Sequence, residues 1–194
     1  MNFIKEEIDL KPRDMILVAL FAGLTVVGAY VSIPLPPVPV TFQNLMCILA
    51  GGILGSRKGA MSQIVYTLMG LVGLPVFAGG KGGFASIVSP TFGFIIGFII
   101  CAFIVGIFRD RNSEIKTSNL IIGSLIGTAV IYIIGTVYLY GIMNFVLAKP
   151  TTVMGAVKVA VLPFFVKDII VAVVGALISK AVITKLSKAG YSNV

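Results

Sequence analysis

The chain has 194 residues, 58% of them hydrophobic and only 11% charged, with a mean hydropathy of +1.08 and a formal net charge of +8. Soluble domains carry about a quarter charged residues, and small ones leave much of their surface wet, so this composition excludes a water-soluble globule and makes lipid the solvent for the surplus apolar surface. The Lys and Arg residues lie between apolar runs rather than along one polar face, which excludes nucleic acid as a partner and fits the positive-inside rule of membrane proteins.

In chain order, residues 1–14 mix Lys5, Lys11 and Arg13 with Glu6, Glu7, Asp9 and Asp14 and read as a cytoplasmic N-terminal segment. They lack the pattern of a cleaved export signal. A membrane domain is expected over 15–184 and a polar cytoplasmic tail over 185–194. The first span is read at 15–33. The run Pro34-Leu-Pro-Pro-Val-Pro39 then ends any helix, because proline lacks the donor and restricts the residue before it. A second apolar run, 41–54, is short for a crossing, which takes about 20 residues. Gly55-Ser-Arg-Lys58 is a tight basic turn, and a third run covers 59–73. The stretch 74–89 is too glycine-rich for a simple helix. Further spans are expected at 90–108, 120–140 and 153–184, the last broken around Pro163, with a polar segment at 109–119 and a loop at 141–152.

This is an all-α integral membrane protein of six transmembrane helices. The alternative is that one short run, 41–54 or 59–73, is re-entrant. Six spans put both termini on one side. The cations of both terminal segments, of Arg57 and Lys58, of the 109–116 segment and of Lys180 then share that side, against only Lys81 and Lys149 opposite and Lys158 near a helix start. The asymmetry makes that side the cytoplasm, in a bacterial plasma membrane.

Asp168 is the one acidic residue inside an apolar run. A carboxylate at membrane depth is costly unless it is paired or faces a polar cavity, so it is a candidate ligand-binding group, with a structural ion pair as the alternative. Lys167 is its neighbour, although adjacent helical residues point about 100° apart and do not face each other squarely. Four glycines surround Lys81 in Gly79-Gly-Lys-Gly-Gly83, where positive φ and close backbone approach are available to an anionic ligand. This is no phosphate loop, since Gly82 stands where a Walker motif needs Ser or Thr. The alternative for this stretch is a flexible connector. Ala19 and Gly23 have the spacing of a close helix contact. Tyr132, Tyr138 and Tyr140 lie in the outer half of the fifth span and read as an interfacial belt or as pocket walls. Cys47 and Cys101 sit within apolar runs as buried thiols, histidine is absent, and no metal site or catalytic residue is expected.

The run GLPVFAGG followed by SPTFGFIIGF, with IYIIGTVYLYG and VLPFFVKDII further on, resembles the BioY family over about residues 14–184. These are biotin-specific substrate-binding (S) components of energy-coupling factor (ECF) transporters. The resemblance implies a six-helix fold with a vitamin pocket near the outer face. It implies that Ala19 and Gly23 dock on a transmembrane coupling subunit, which sits with two ATPases, so that ATP is bound by partners and this chain needs no cofactor. It also implies that Asp168 matches the family's aspartate in the last helix and that the loop 77–83 lines the pocket. One departure stands out: the family pattern has a lysine three positions after that aspartate, where this chain has Val171. Lys167, four residues before Val171 on the same helical face, is the cation available instead.

The expected mechanism follows. Biotin enters from outside, its apolar body against Phe77, Tyr132 and Tyr138. Asp168 accepts from the ureido N–H groups, and Lys81 with the amides around Gly79 and Gly80 meets the carboxylate. The loop with Pro36, Pro37 and Val38 acts as a lid. Rival readings are an S component for riboflavin or thiamine, a stand-alone biotin facilitator, and a membrane enzyme. The lack of histidine and of further intramembrane acids argues against the last.

Overall fold

The computed structural model describes residues 11–110 and 115–190. The sequence assignments resting on Lys5, Glu6, Glu7, Asp9, Arg111 and Glu114 lie outside the described residues. The chain is helical almost throughout: α1 (Pro12–Tyr30), α2 (Gln43–Leu54), α3 (Ser56–Leu71), α4 (Phe92–Asp110), α5 (Thr117–Gly141), α6 (Val153–Ala160) and α7 (Leu162–Lys188). Among the described residues, four helical segments are long and apolar enough to cross a membrane: Pro12–Tyr30, Phe92–Asp110, Thr117–Val146 and Leu162–Lys188. Their outward side chains are apolar and exposed, as at Ile16, Val137 and Val166, which is what a lipid-facing surface requires.

The short α2 has a physical explanation. At about 1.5 Å per residue its 12 residues fall well short of a bilayer core, yet most of its side chains are buried. It packs against α1, α3, α4 and α7, so its length need not match the lipid. Small residues permit this: Gly51 lies against Ala102 of α4, and Gly52 against Ser179 of α7. The chain reverses from α2 into α3 at Gly55, whose φ of +85° favours glycine.

Three local features refine the expected elements. The first helix begins at Pro12, with proline in its first turn, and stops at Tyr30. Beyond it, the proline-rich loop is closed by a two-residue antiparallel ribbon, β1 (Ser32–Ile33) with β2 (Val40–Thr41), paired Ser32↔Thr41 and Ile33↔Val40. The last apolar run is broken close to Pro163, as expected, into two helices: the chain kinks at Val161 and Pro163 falls in the first turn of α7, where its missing N–H costs nothing.

The glycine-rich stretch is ordered. Phe77 N–H donates to the Lys81 carbonyl at 2.9 Å and Lys81 N–H returns to the Phe77 carbonyl at 3.3 Å, a tight hairpin whose turn residues Gly79 and Gly80 have positive φ. A short 3-10 turn, Phe84–Val88, then leads into α4. Phe77 is buried over Gly70 of α3, where any Cβ would strike its ring.

Polar contacts gather at one end of the bundle. Lys58 Nζ donates to Asp14 at 2.7 Å, joining α3 to α1. Asp110 at the end of α4 accepts from Ser56 N–H at 2.9 Å and from Ser56 Oγ at 2.8 Å. Lys180 of α7 donates to the Ile115 carbonyl ahead of α5. Cys47 and Cys101 are free and buried, as expected.

Candidate ligand-binding site

At the other end lies a cavity of about 530 Å³, between the ends of α2, α4, α5 and α7 and beneath the proline loop and the glycine hairpin. Its volume falls in the usual range for small-molecule sites. Phe77, Phe94, Phe98, Ile131 and Phe164 give it apolar walls. Helical periodicity places the α7 contribution: Phe164, Asp168, Val171, Ala172 and Gly175 form its buried face.

Asp168 is the polar focus and only 5% exposed. Tyr132 of α5 donates its hydroxyl to Oδ2 at 2.8 Å. Lys167 Nζ lies 2.9 Å from Oδ1 and donates to the Thr41 carbonyl of β2 at 2.8 Å. The expected divergence of adjacent helical residues is overcome by the length of the lysine stem, which brings the ammonium back along the helix. The contact with Oδ1 is one of charge rather than an aligned hydrogen bond, since that oxygen has no hydrogen-bond partner among the described residues. Val171, at the position of the family lysine, is packed in the core.

Of the residues singled out from the sequence, Asp168, Lys167, Tyr132, Phe77, Gly80 and Lys81 line the cavity, as do Pro37 and Val38 of the loop. Gly79, Pro36 and Tyr138 do not. Gly79 occupies the hairpin turn with open space around it. The Tyr138 hydroxyl donates to the Ile87 carbonyl, and its ring packs on Phe92 at 6.1 Å between centroids, so it braces the 3-10 turn from behind. Tyr132 and Tyr138 are six positions apart, about 240° round the helix, and cannot share a face. Ala19 and Gly23 lie on α1 away from the cavity; Ala19 is exposed, and a Cβ on Gly23 would meet nothing within 4 Å.

Among the lining residues that the sequence reading did not single out are Gln43 and Asn44 in the first turn of α2. Gln43 Nε2 donates to the Tyr66 hydroxyl at 2.7 Å, and Tyr66 donates to the Val76 carbonyl at 3.2 Å, tying α2 to the glycine hairpin through α3. Asn44 reaches Thr128 of α5 at 3.4 Å. The readable signal was two adjacent amides opening an otherwise apolar run, since polar side chains within membrane segments are functional candidates even when uncharged. Ser86, Ser89 and Thr91 add hydroxyls on the hairpin side.

A multi-pass helical bundle with an apolar cavity and a few converging polar groups is a membrane-embedded binder of a small, partly polar solute. The sequence profile of the BioY family matches residues 4–188, and the chain belongs to that family. It is 39% identical over 167 residues to the "Probable biotin transporter BioY" of Lysinibacillus sphaericus, covering 86% of this chain and 85% of that one. To the protein of the same description from Pyrococcus horikoshii it is 40% identical, covering 88% and 96%. To the "Biotin transporter BioY" of Thermotoga maritima it is 36% identical, covering 86% and 94%. The fold is similar to a crystal structure described as the S-component for biotin from an ECF-type ABC transporter, with a TM-score of 0.77, 25% identity and coverage of 91% of this chain and 94% of that one.

Proposed function

We propose that this chain is the biotin-capturing S component of an ATP-driven ECF uptake transporter. The observation that carries the reading is Asp168, a carboxylate buried in an apolar cavity with one oxygen held by Tyr132 and the other left without an aligned donor. A ureido N–H is the donor that such an oxygen lacks. The apolar rings and chain of biotin lie against Phe77, Phe94 and Phe164, and its carboxylate meets Lys81 and the amides of the glycine hairpin. Pro36, Pro37 and Val38, on the loop over the cavity, form the lid.

In this reading the seven α-helices among the described residues make six crossings, because α6, with 8 residues, spans about 12 Å, too short to cross. Both termini are then cytoplasmic, on the side where Lys58, Arg109, Lys180 and the tail lysines gather. The apolar, small-residue stripe of α1 at Ala19 and Gly23 is the docking face for a transmembrane coupling subunit. Two ATPase subunits bind ATP and supply the energy for inward release, since binding alone cannot move substrate uphill. The family is one of transporter components rather than enzymes, and no catalytic role is assigned to any residue.

The test is calorimetric titration of the purified protein in detergent with biotin, using riboflavin and thiamine as controls. Tight one-to-one binding of biotin alone is the expected result. Binding of another vitamin instead keeps the scaffold and discards the substrate.

A further inference from the structure

We propose that Asn44 determines specificity by accepting one ureido N–H through its side-chain carbonyl, while Asp168 accepts the other. The inference rests on the biotin reading above. Asn44 is 6% exposed and lines the same cavity as Asp168. Its amide nitrogen reaches Thr128 Oγ1 only at 3.4 Å, and its carbonyl oxygen is buried with no hydrogen-bond partner among the described residues. Buried carbonyl oxygens are rarely left in that state, and at a cavity wall the natural source of the missing donor is the ligand. Asp168 Oδ1 likewise accepts no aligned hydrogen bond, although the Lys167 ammonium lies 2.9 Å from it. The neighbouring amide, Gln43, is engaged with Tyr66 and is not available in the same way.

Two acceptors without an aligned donor, on two residues of one cavity, suit a ligand with two N–H groups. In a five-membered cyclic urea the ring carbons lie trans to the oxygen, so the two N–H bonds diverge on either flank of the carbonyl. One carboxylate meets one of them squarely and leaves the other for a second acceptor. Asn44 is the buried side chain that supplies it, and its neutral amide does so without placing a second carboxylate beside Asp168.

The experiment pairs variants with modified ligands. The parent, Asn44→Ala and Asn44→Asp are titrated in detergent with biotin and with biotins methylated at one or the other ureido nitrogen. Asn44→Ala is expected to weaken biotin about ten- to hundredfold, the range for leaving a buried partner unpaired. It also vacates space, so one of the two methylated biotins, and only one, recovers relative to biotin. Asn44→Asp keeps the acceptor and keeps the parent's order of preference among the three ligands. Should the alanine variant not fold, Asn44→Ser gives the same ligand ranking. The inference is overturned if the alanine or serine variant binds biotin as tightly as the parent, or if both methylations remain as costly in it as before, which marks Asn44 as structural and leaves the biotin reading standing. A parent that does not bind biotin overturns both.

Discussion

Asp168 and Lys167 divide one site between two tasks. A charge at membrane depth costs about 2.5–3.5 kcal/mol on insertion scales, and here the Tyr132 hydroxyl and the adjacent ammonium offset it. Replacing Asp168 with Asn keeps the shape and removes the charge. It is expected to lower biotin affinity about ten- to hundredfold, the loss of one charge-assisted hydrogen bond, while thermal melting of the apo protein moves by only a few degrees. Unchanged affinity in calorimetry would remove Asp168 from the site. At this scale the sequence was readable where charge was involved. Asp168 stood out as the single acid in an apolar run, and it lines the cavity. Asn44 and Gln43 did not, because an uncharged amide leaves a weak trace in hydropathy and its lack of a partner is a tertiary fact. Tyr138 was grouped with Tyr132 by composition, whereas helical phase alone separates them.

The elements that shape the cavity are the irregular ones. The glycine hairpin holds Phe77 against Gly70, and Gly83 N–H donates to the Gly70 carbonyl at 2.7 Å, so one residue of α3 sets the position of one wall. Gly70→Ala drives a methyl into the Phe77 ring, an overpacking that costs about 1–3 kcal/mol. The expected outcome is a lower melting temperature together with weaker biotin binding, since the ring can relieve the clash only by moving into the cavity or tilting the hairpin. Gly141→Ala, where a Cβ meets nothing within 4 Å, is the control and leaves both unchanged. Apolar run lengths recovered α4 and α5 to within a few residues. They missed the β1–β2 ribbon, because two-residue strands have no periodicity to read, and since the hydropathy across Val161 is continuous it was Pro163, not run length, that marked the break between α6 and α7.

For the whole molecule, polarity is arranged along the bundle axis. Salt bridges and caps knit one end, at Asp14–Lys58 and Ser56–Asp110, while the cavity with Lys81 opens the other. The assigned sidedness is tested by cysteine labelling, and the native thiols Cys47 and Cys101 are buried and give little background. Lys81→Cys in intact cells is expected to react with a membrane-impermeant maleimide and to be protected by biotin. Lys188→Cys is expected to react only after permeabilisation. The reverse pattern would invert the topology. The proposed orientation rests on the distribution of lysine and arginine, a signal carried by composition at loop positions. The proposed six crossings include α2, which apolar length alone does not identify as a span, since it is buried by its neighbours and escapes the length rule that lipid imposes.

The bond from Lys167 to the Thr41 carbonyl has a consequence for the loop above the site. One ammonium is shared between the strand that closes the proline loop and the carboxylate in the cavity wall. Sharing of this kind is thermodynamic linkage. If occupancy at Asp168 alters the hold of Lys167 on β2, then displacement of β2 must alter the hold on ligand by the same free energy and in the same sense. On that condition a force applied to the ribbon from outside the site is felt as a change in dissociation constant, with no contact between the agent of that force and the bound ligand.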